Sequence, residues 1–180
     1  YAQAASGTPY DQLLSERIFV PCRMETASID FTASIPSTYR GKEGRDTDGM
    51  STVPAGGITA SAMDMVRFAA GVAAAGACVD GRMLEEQTMR AMWEEQEIGE
   101  LSGEFPMGLG FSTTLPSERL NTLLVGHGGS TINQHASFMV APEVGVGAVA
   151  FSNEATAGDL VGLVGSEALN LALEEEIGLG

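Results

Sequence analysis

The sequence predicts an α/β (α+β) fold, an antiparallel sheet flanked by helices with part of a helical lobe ahead of it. Three observations predict it: apolar residues recur at helical spacing up to about residue 104, the period then becomes strand-like, and a last helical stripe follows. The 180 residues suffice for one domain with a core or for two small lobes. On this reading 1–104 belong to a helical lobe, with a long loop at about 28–58. Residues 105–180 supply sheet strands and the C-terminal helix of an α/β lobe.

The helical part starts abruptly. Tyr1 is no initiator Met, and Tyr1 to Ala5 reads as the tail of a helix closed by Gly7, so any leader would lie upstream. Thr8-Pro9-Tyr10-Asp11 then opens a helix, with Thr8 as cap, Pro9 at the first helical position and Asp11 where a capping box wants an acceptor. Tyr10, Leu13, Leu14, Arg17 and Ile18 carry it to about Phe19, because Pro21 disfavours helix in the residue before it. The glycines and prolines between 28 and 58 read as a surface loop, the wall or lid of a cleft. Ser61 and Asp64 are spaced to cap a helix with a stripe of Met63, Val66, Ala70 and Ala73, ended by Gly76. A further helix spans about Leu84 to Glu95, with Glu85 and Glu86 in its first turn and Trp93 as a packing residue.

Strands are expected over Leu109 to Thr114, Asn121 to Val125, Ala136 to Val140 and Val146 to Phe151, the last two joined by the Pro142-Glu143-Val144-Gly145 turn. Apolar residues on both faces of Val146 to Phe151 predict a central strand covered on both sides. One cover is the final helix, through Leu160, Val164, Ala168 and Leu171. Its three terminal glutamates, Glu174 to Glu176, oppose the helix dipole and should fray.

A net charge of −15, with Lys42 the only lysine, leaves no basic patch for phosphates, which excludes nucleic acid and anionic membrane surfaces as partners. The acidity reads either as a solvated surface or as adaptation to high salt. No apolar run reaches the roughly 18 residues of a membrane span. Cys22 and Cys78 lack Cys-x-x-Cys spacing and read as two independent thiols rather than one disulfide, leaving the compartment undecided.

The densest chemistry lies in Gly126-His127-Gly128-Gly129-Ser130-Thr131, a His and a Ser bracketed by glycines after the apolar run Leu123-Leu124-Val125. Ser130 as nucleophile with His127 as base lacks the last glycine of a Gly-x-Ser-x-Gly elbow and an obvious third group. His127 and His135 as metal ligands lack a third partner, so no metal is assigned, and His135 reads as a surface or hydrogen-bonded structural residue. A structural role for His127, satisfying a turn, stands beside the functional one. Ser152-Asn153 reads as a strand end.

The order of several segments carries a resemblance. Ser6-Gly7-Thr8-Pro9-Tyr10, Ile18 to Thr26, Pro54-Ala55-Gly56-Gly57-Ile58 with Ser61 to Met65, Gly108-Leu109-Gly110-Phe111, His127-Gly128-Gly129-Ser130, and Pro142 to Val146 with Phe151-Ser152-Asn153 together resemble the later part of serine β-lactamase-related hydrolases. That family embraces class C β-lactamases, D-alanyl-D-alanine carboxypeptidases, D-aminopeptidases and esterases. The resemblance implies a β-lactamase/transpeptidase-like fold with its active site between two lobes, this chain supplying about the C-terminal half. Where relatives commonly have Pro-Leu-Gly-Met, the chain has Pro21-Cys22-Arg23-Met24, so that turn must accommodate an arginine.

The family's Ser-x-x-Lys motif, one helical turn from nucleophile to lysine, is absent: Tyr39 stands three before Lys42. Tyr-x-Asn, which brings a phenol to the proton transfer, is absent too. The third motif, Lys-Thr-Gly or His-x-Gly, is matched by His127-Gly128-Gly129. The resemblance implies that His127 serves substrate or proton relay, that Gly128, Gly129 and Thr131 line the substrate, and that the Ser130 amide points into an oxyanion hole. The implied partner is a small-molecule or peptide-like ester or amide substrate, with no cofactor. The alternative is a non-catalytic remnant or association module, whose exposed sheet edge favours self-association or a complementary N-terminal segment.

Overall fold

A computed structural model describes residues 1–29, 53–96, 106–114, 122–131 and 133–176. Helix α1, Ala2–Ser6, ends at Gly7 in the left-handed conformation with φ 72°. Helix α2, Tyr10–Leu14, runs into a π-helical turn over Ser15–Phe19. Thr8 does not cap α2 as the sequence predicts. Instead, Gln3 Oε1 accepts from the Tyr10 amide at 3.1 Å, because α1 folds back beside α2 and brings an acceptor in from outside.

Most of the predicted loop at 28–58 lies outside the described residues. At its borders Ser28 and Thr59 exchange two backbone hydrogen bonds of 2.9 and 2.8 Å, and α3 occupies Val53–Gly56. Helix α4, Ala62–Ala73, begins with the capping box that Ser61 and Asp64 predict. Its buried side differs from the predicted stripe: Ala69, Gly71 and Val72 are enclosed, while Met63 and Val66 are exposed. Asp64, held by Thr26 and Ser61, lies on the inner side and sets the helix's rotation. The helix is apolar on more than one side, so periodicity alone does not fix its phase. Gly76 follows at φ 90°, where a Cβ would overlap the Leu84 carbonyl.

A short hairpin of β1, Ala77–Cys78, and β2, Gly81–Arg82, comes next. Here the structure corrects the cysteine reading: Cys22 and Cys78 form a disulfide, their Cα atoms 4.7 Å apart across 56 residues of sequence. Packing of the segment after the π turn against this hairpin brings them together, which spacing could not reveal. Arg23, where relatives commonly have glycine, takes the left-handed conformation with φ 54°. Its guanidinium grips Asp80 at 2.5 and 2.8 Å, and its carbonyl accepts from Arg67 at 2.6 Å, contacts that hold a conformation unusual for a side-chain-bearing residue. Helix α5, Glu86–Trp93, buries Met89 and Trp93.

The main sheet is antiparallel in the order β3-β4-β5-β6, with β3 at Ser112–Thr114, β4 at Leu124–Ser130, β5 at His135–Ala141 and β6 at Val146–Ser152. Alternate residues of β5 face two cores. Phe138 and Val140 pack with Ala69, Val72 and Phe111 on the α4 side, and Ala141 packs with Leu124, Leu169 and Leu173 under α6, Gly158–Glu176. The expected double cover of β6 is present, since both helices pack on it, but among the described residues β6 ends the sheet rather than occupying its centre. Helix α6 also differs from expectation. Val161, Gly165, Leu169 and Leu173 face the sheet, whereas Leu160, Val164 and Leu171 are more than half exposed.

Candidate active site

Strand β4 divides at Gly126. Up to that residue it is buried between β3 and β5, with Ser112 opposite Gly126 as the last β3 pair. A Cβ at Gly126 would overlap the Phe138 carbonyl oxygen, so the close approach of β4 to β5 requires glycine there. From His127 to Ser130 the strand keeps β5 on one side, and among the described residues no strand lies on the other.

Ladder alternation says which groups face that opening. The Thr131 amide donates to Gln134 O at 2.8 Å, which puts the exchanged β4–β5 bonds on odd-numbered β4 residues. The backbone amides of Gly128 and Ser130 therefore point away from β5, to the open edge. Gly126 agrees, its carbonyl accepting from the Ser112 hydroxyl on the β3 side at 3.2 Å.

His127 is exposed beside this edge, with Nδ1 2.5 Å from the Gly128 carbonyl oxygen. A carbonyl can only accept, so Nδ1 carries the proton and, in the uncharged ring, Nε2 presents a lone pair. Gly128 and Gly129 have room for a side chain: among the described residues an added Cβ would come no nearer than 3.8 and 3.9 Å to a neighbour. The fold around them does not demand glycine, unlike at Gly126. Thr131 closes the turn instead, its hydroxyl 3.3 Å from the Gln134 carbonyl and 3.1 Å from the Gln134 amide.

Ser130 pairs with a histidine, but with His135 rather than His127. Its Oγ is 2.8 Å from Nδ1 of His135, which sits directly across the hairpin. His135 is buried, as a hydrogen-bonded structural histidine would be, and its Nε2 lies 3.3 Å from the Ala155 carbonyl oxygen. A four-residue connection between the strands places residues 130 and 135 opposite each other, a signal that sequence reasoning could have used and did not. The structure thus gathers His127, Gly128, Gly129 and the Ser130 amide on one edge, with His135 behind it. Among the described residues no group of three or more metal-ligating side chains occurs, and no helix is long and apolar enough to cross a membrane.

An antiparallel sheet between helices, with a glycine-rich strand open along one edge, defines a β-lactamase/transpeptidase-type fold. The Beta-lactamase family model matches residues 1–165, and the chain belongs to that family. Among solved structures it is similar to a β-lactamase/D-alanine carboxypeptidase from Yersinia pestis complexed with citrate, at TM-score 0.68 and 17% identity, covering 96% of this chain and 50% of that one. A D-stereospecific amidohydrolase from Streptomyces sp. matches at TM-score 0.66 and 18% identity, covering 90% and 49%. The D-amino acid amidase from Ochrobactrum anthropi SV3, complexed with L-phenylalanine amide, matches at TM-score 0.59 and 20% identity, covering 84% and 46%. The chain spans about half the length of these structures. No curated protein matches it in sequence.

Proposed function

We propose that the chain is the C-terminal part of a serine hydrolase that cleaves an ester or amide through an acyl-enzyme. The observation that carries this reading is the open edge of β4, where two amides point outward beside an exposed histidine and two glycines whose surroundings have room for a side chain. In this reading the Ser130 amide donates to the developing oxyanion, Gly128 and Gly129 let the substrate's acyl group lie along the strand, and Thr131 shapes the end of that groove. Nε2 of His127 accepts a proton or hydrogen bond from the substrate. The attacking serine and its lysine come from a preceding segment, with 1–104 contributing to the helical lobe across the cleft. A histidine where lysine is common in this motif favours an esterase or peptidase over a β-lactamase. The amidase and amidohydrolase among the similar structures point to the same ester-or-amide chemistry. Turnover of nitrocefin and p-nitrophenyl esters by the longer gene product tests it. No turnover, together with no Ser-x-x-Lys upstream, would sink it.

A second reading, an association module without catalysis, draws on the outer face of α6. Leu160, Leu163, Val164 and Leu171 are 59, 68, 52 and 59% exposed there, with Phe151 44% exposed on β6 at the sheet's end. Apolar area of this kind favours cover by a complementary N-terminal segment or by a second copy. Size-exclusion chromatography of the 180-residue chain should show oligomers, and a compact monomer at micromolar concentration would count against association.

A further inference from the structure

The amide and the side chain of Ser130 leave β4 in different directions. The amide lies in the plane of the sheet and points to the open edge, whereas the side chain stands perpendicular to it, on the face that α6 covers, with Leu124 and His135 and opposite to His127. There the Ser130 Oγ is 2.8 Å from Nδ1 of His135. The other ring nitrogen, Nε2, is 3.3 Å from the Ala155 carbonyl oxygen, which only accepts. Nε2 therefore carries the proton, and in the uncharged ring Nδ1 accepts from the Ser130 hydroxyl. The ring itself is held: it is buried, and a Cβ on Gly158, the first residue of α6, would lie 3.3 Å from Nδ1. Ala155 sits in a turn closed by the Ala157 amide on the Glu154 carbonyl at 3.0 Å, and the Val161 amide of α6 donates to the Ala157 carbonyl at 2.9 Å.

We propose that His135 is a positioning residue for the hydrolase reaction: from behind the sheet it braces Ser130 against the turn that opens α6, and so keeps the Ser130 amide aimed at the open edge. The inference rests on the hydrolase reading, in which that amide donates to the oxyanion. Ser130 needs such a hold because Gly128 and Gly129 precede it, and glycine's backbone torsions are the least restricted of any residue. From His127 to Ser130, β5 grips the strand on one side only among the described residues. An oxyanion donor contributes most when its direction is fixed before the charge develops, since nothing then has to reorganise during the reaction. The brace runs from the Ala155 carbonyl through the imidazole to the Ser130 Oγ, so the hydroxyl serves the amide from the α6 face and takes no part in the cleft.

The test measures p-nitrophenyl ester turnover and phenylboronic acid inhibition in the longer gene product. Ser130→Ala, which removes the hydroxyl and keeps the amide, should lower kcat about ten- to hundredfold with KM little changed, because the aim of the amide matters most in the transition state. His135→Gln, whose amide nitrogen can replace Nε2 at Ala155 but leaves Ser130 unbraced, should do the same. His135→Asn, whose amide oxygen can replace Nδ1 and accept from Ser130, should keep most of kcat, a split between the two amides that simple loss of packing would not produce. Combining Ser130→Ala with His135→Gln should cost no more than either alone. Phenylboronic acid, which forms a tetrahedral adduct with a nucleophilic serine, should lose affinity in step with kcat. The tautomer is readable in the unaltered protein without turnover: long-range nitrogen–proton correlation spectra should show His135 protonated at Nε2. A proton on Nδ1 alone, an unchanged kcat in Ser130→Ala, or equal losses in His135→Asn and His135→Gln would overturn the inference while leaving the hydrolase reading intact. Absence of both ester turnover and boronate binding in the unaltered protein would overturn the hydrolase reading and this inference with it.

Discussion

Gly165 of α6 lies against Ser137 of β5 so closely that a Cβ on the glycine would come 2.9 Å from the Ser137 hydroxyl and 3.3 Å from its Cβ. The helix contributes no side chain there, the Ser137 side chain packing directly on its backbone, and the contact fixes which face of α6 turns inward. Gly165→Leu should therefore lower stability by about 1–3 kcal/mol through overpacking. Gly162, three residues earlier, has nothing among the described residues within 4 Å of an added Cβ, so Gly162→Ala should raise stability by roughly 0.5–1 kcal/mol through helix propensity. Urea unfolding of the two variants against the parent chain measures both, and equal effects would refute this account of the helix's phase.

Within β4 the glycines separate structure from activity. Gly126→Ala forces a Cβ onto the Phe138 carbonyl and should cost about 2 kcal/mol or more in the same unfolding experiment, because backbone cannot move aside as a flexible side chain can. Gly129→Ala has space and should change stability by no more than about 0.5 kcal/mol. If the substrate's acyl group lies against Gly129, this variant should lower ester turnover by about tenfold or more in the longer gene product, by displacing the reacting carbonyl. A loss of stability at Gly129 would show that the glycine serves the fold.

The order of elements was readable because helix and strand periods change where the chain changes layer, and capping residues such as Ser61 and Asp64 mark a boundary chemically. Helix phase was not readable. Both α4 and α6 carry apolar residues on more than one side, and their rotation is set by the Asp64–Thr26 contact and by Gly165 against Ser137, which join residues 38 and 28 apart in sequence. The glycine-rich segment stood out in the sequence, but the strand expected over Asn121 to Val125 in fact runs from Leu124 through Ser130 and takes those glycines into the sheet. The partner of His135, Ser130, was missed because the pairing depends on hairpin register, and Cys22 with Cys78 because a pairing across 56 residues leaves no local pattern.

The disulfide bears on the stability of the helical part. Linking Cys22 to Cys78 restricts a long loop in the unfolded chain, and for loops of this size the stabilisation is about 2–4 kcal/mol. Cys22→Ser combined with Cys78→Ser should lower the urea midpoint accordingly. Dithiothreitol should do the same to the parent chain and nothing further to the double variant. A thiol titration that finds two free cysteines in the native, non-reduced protein would contradict the pairing.

Asp64 predicts how stability responds to acid. Its carboxylate is 1% exposed and accepts from the Thr26 hydroxyl and amide and from the Ser61 amide, with Arg67 at 3.6 Å. Burial pushes the carboxyl's pKa up, but the hydrogen bonds from Thr26 and Ser61 outweigh it and hold the pKa below the usual 3.8. Because the folded-state pKa is below the unfolded one, the stabilisation is fully present above the unfolded value. It is lost as pH falls from about 4 through the depressed folded value. Asp64→Asn removes the charge and turns an N–H₂ toward groups that are themselves donors, which should cost about 1–3 kcal/mol at neutral pH. The gap between parent and variant in urea midpoint should stay constant from about pH 7 to 5 and narrow between roughly pH 4 and 2. A gap that persists unchanged into that acid range would show that the charge of Asp64 contributes nothing to holding α4 against the segment at Thr26.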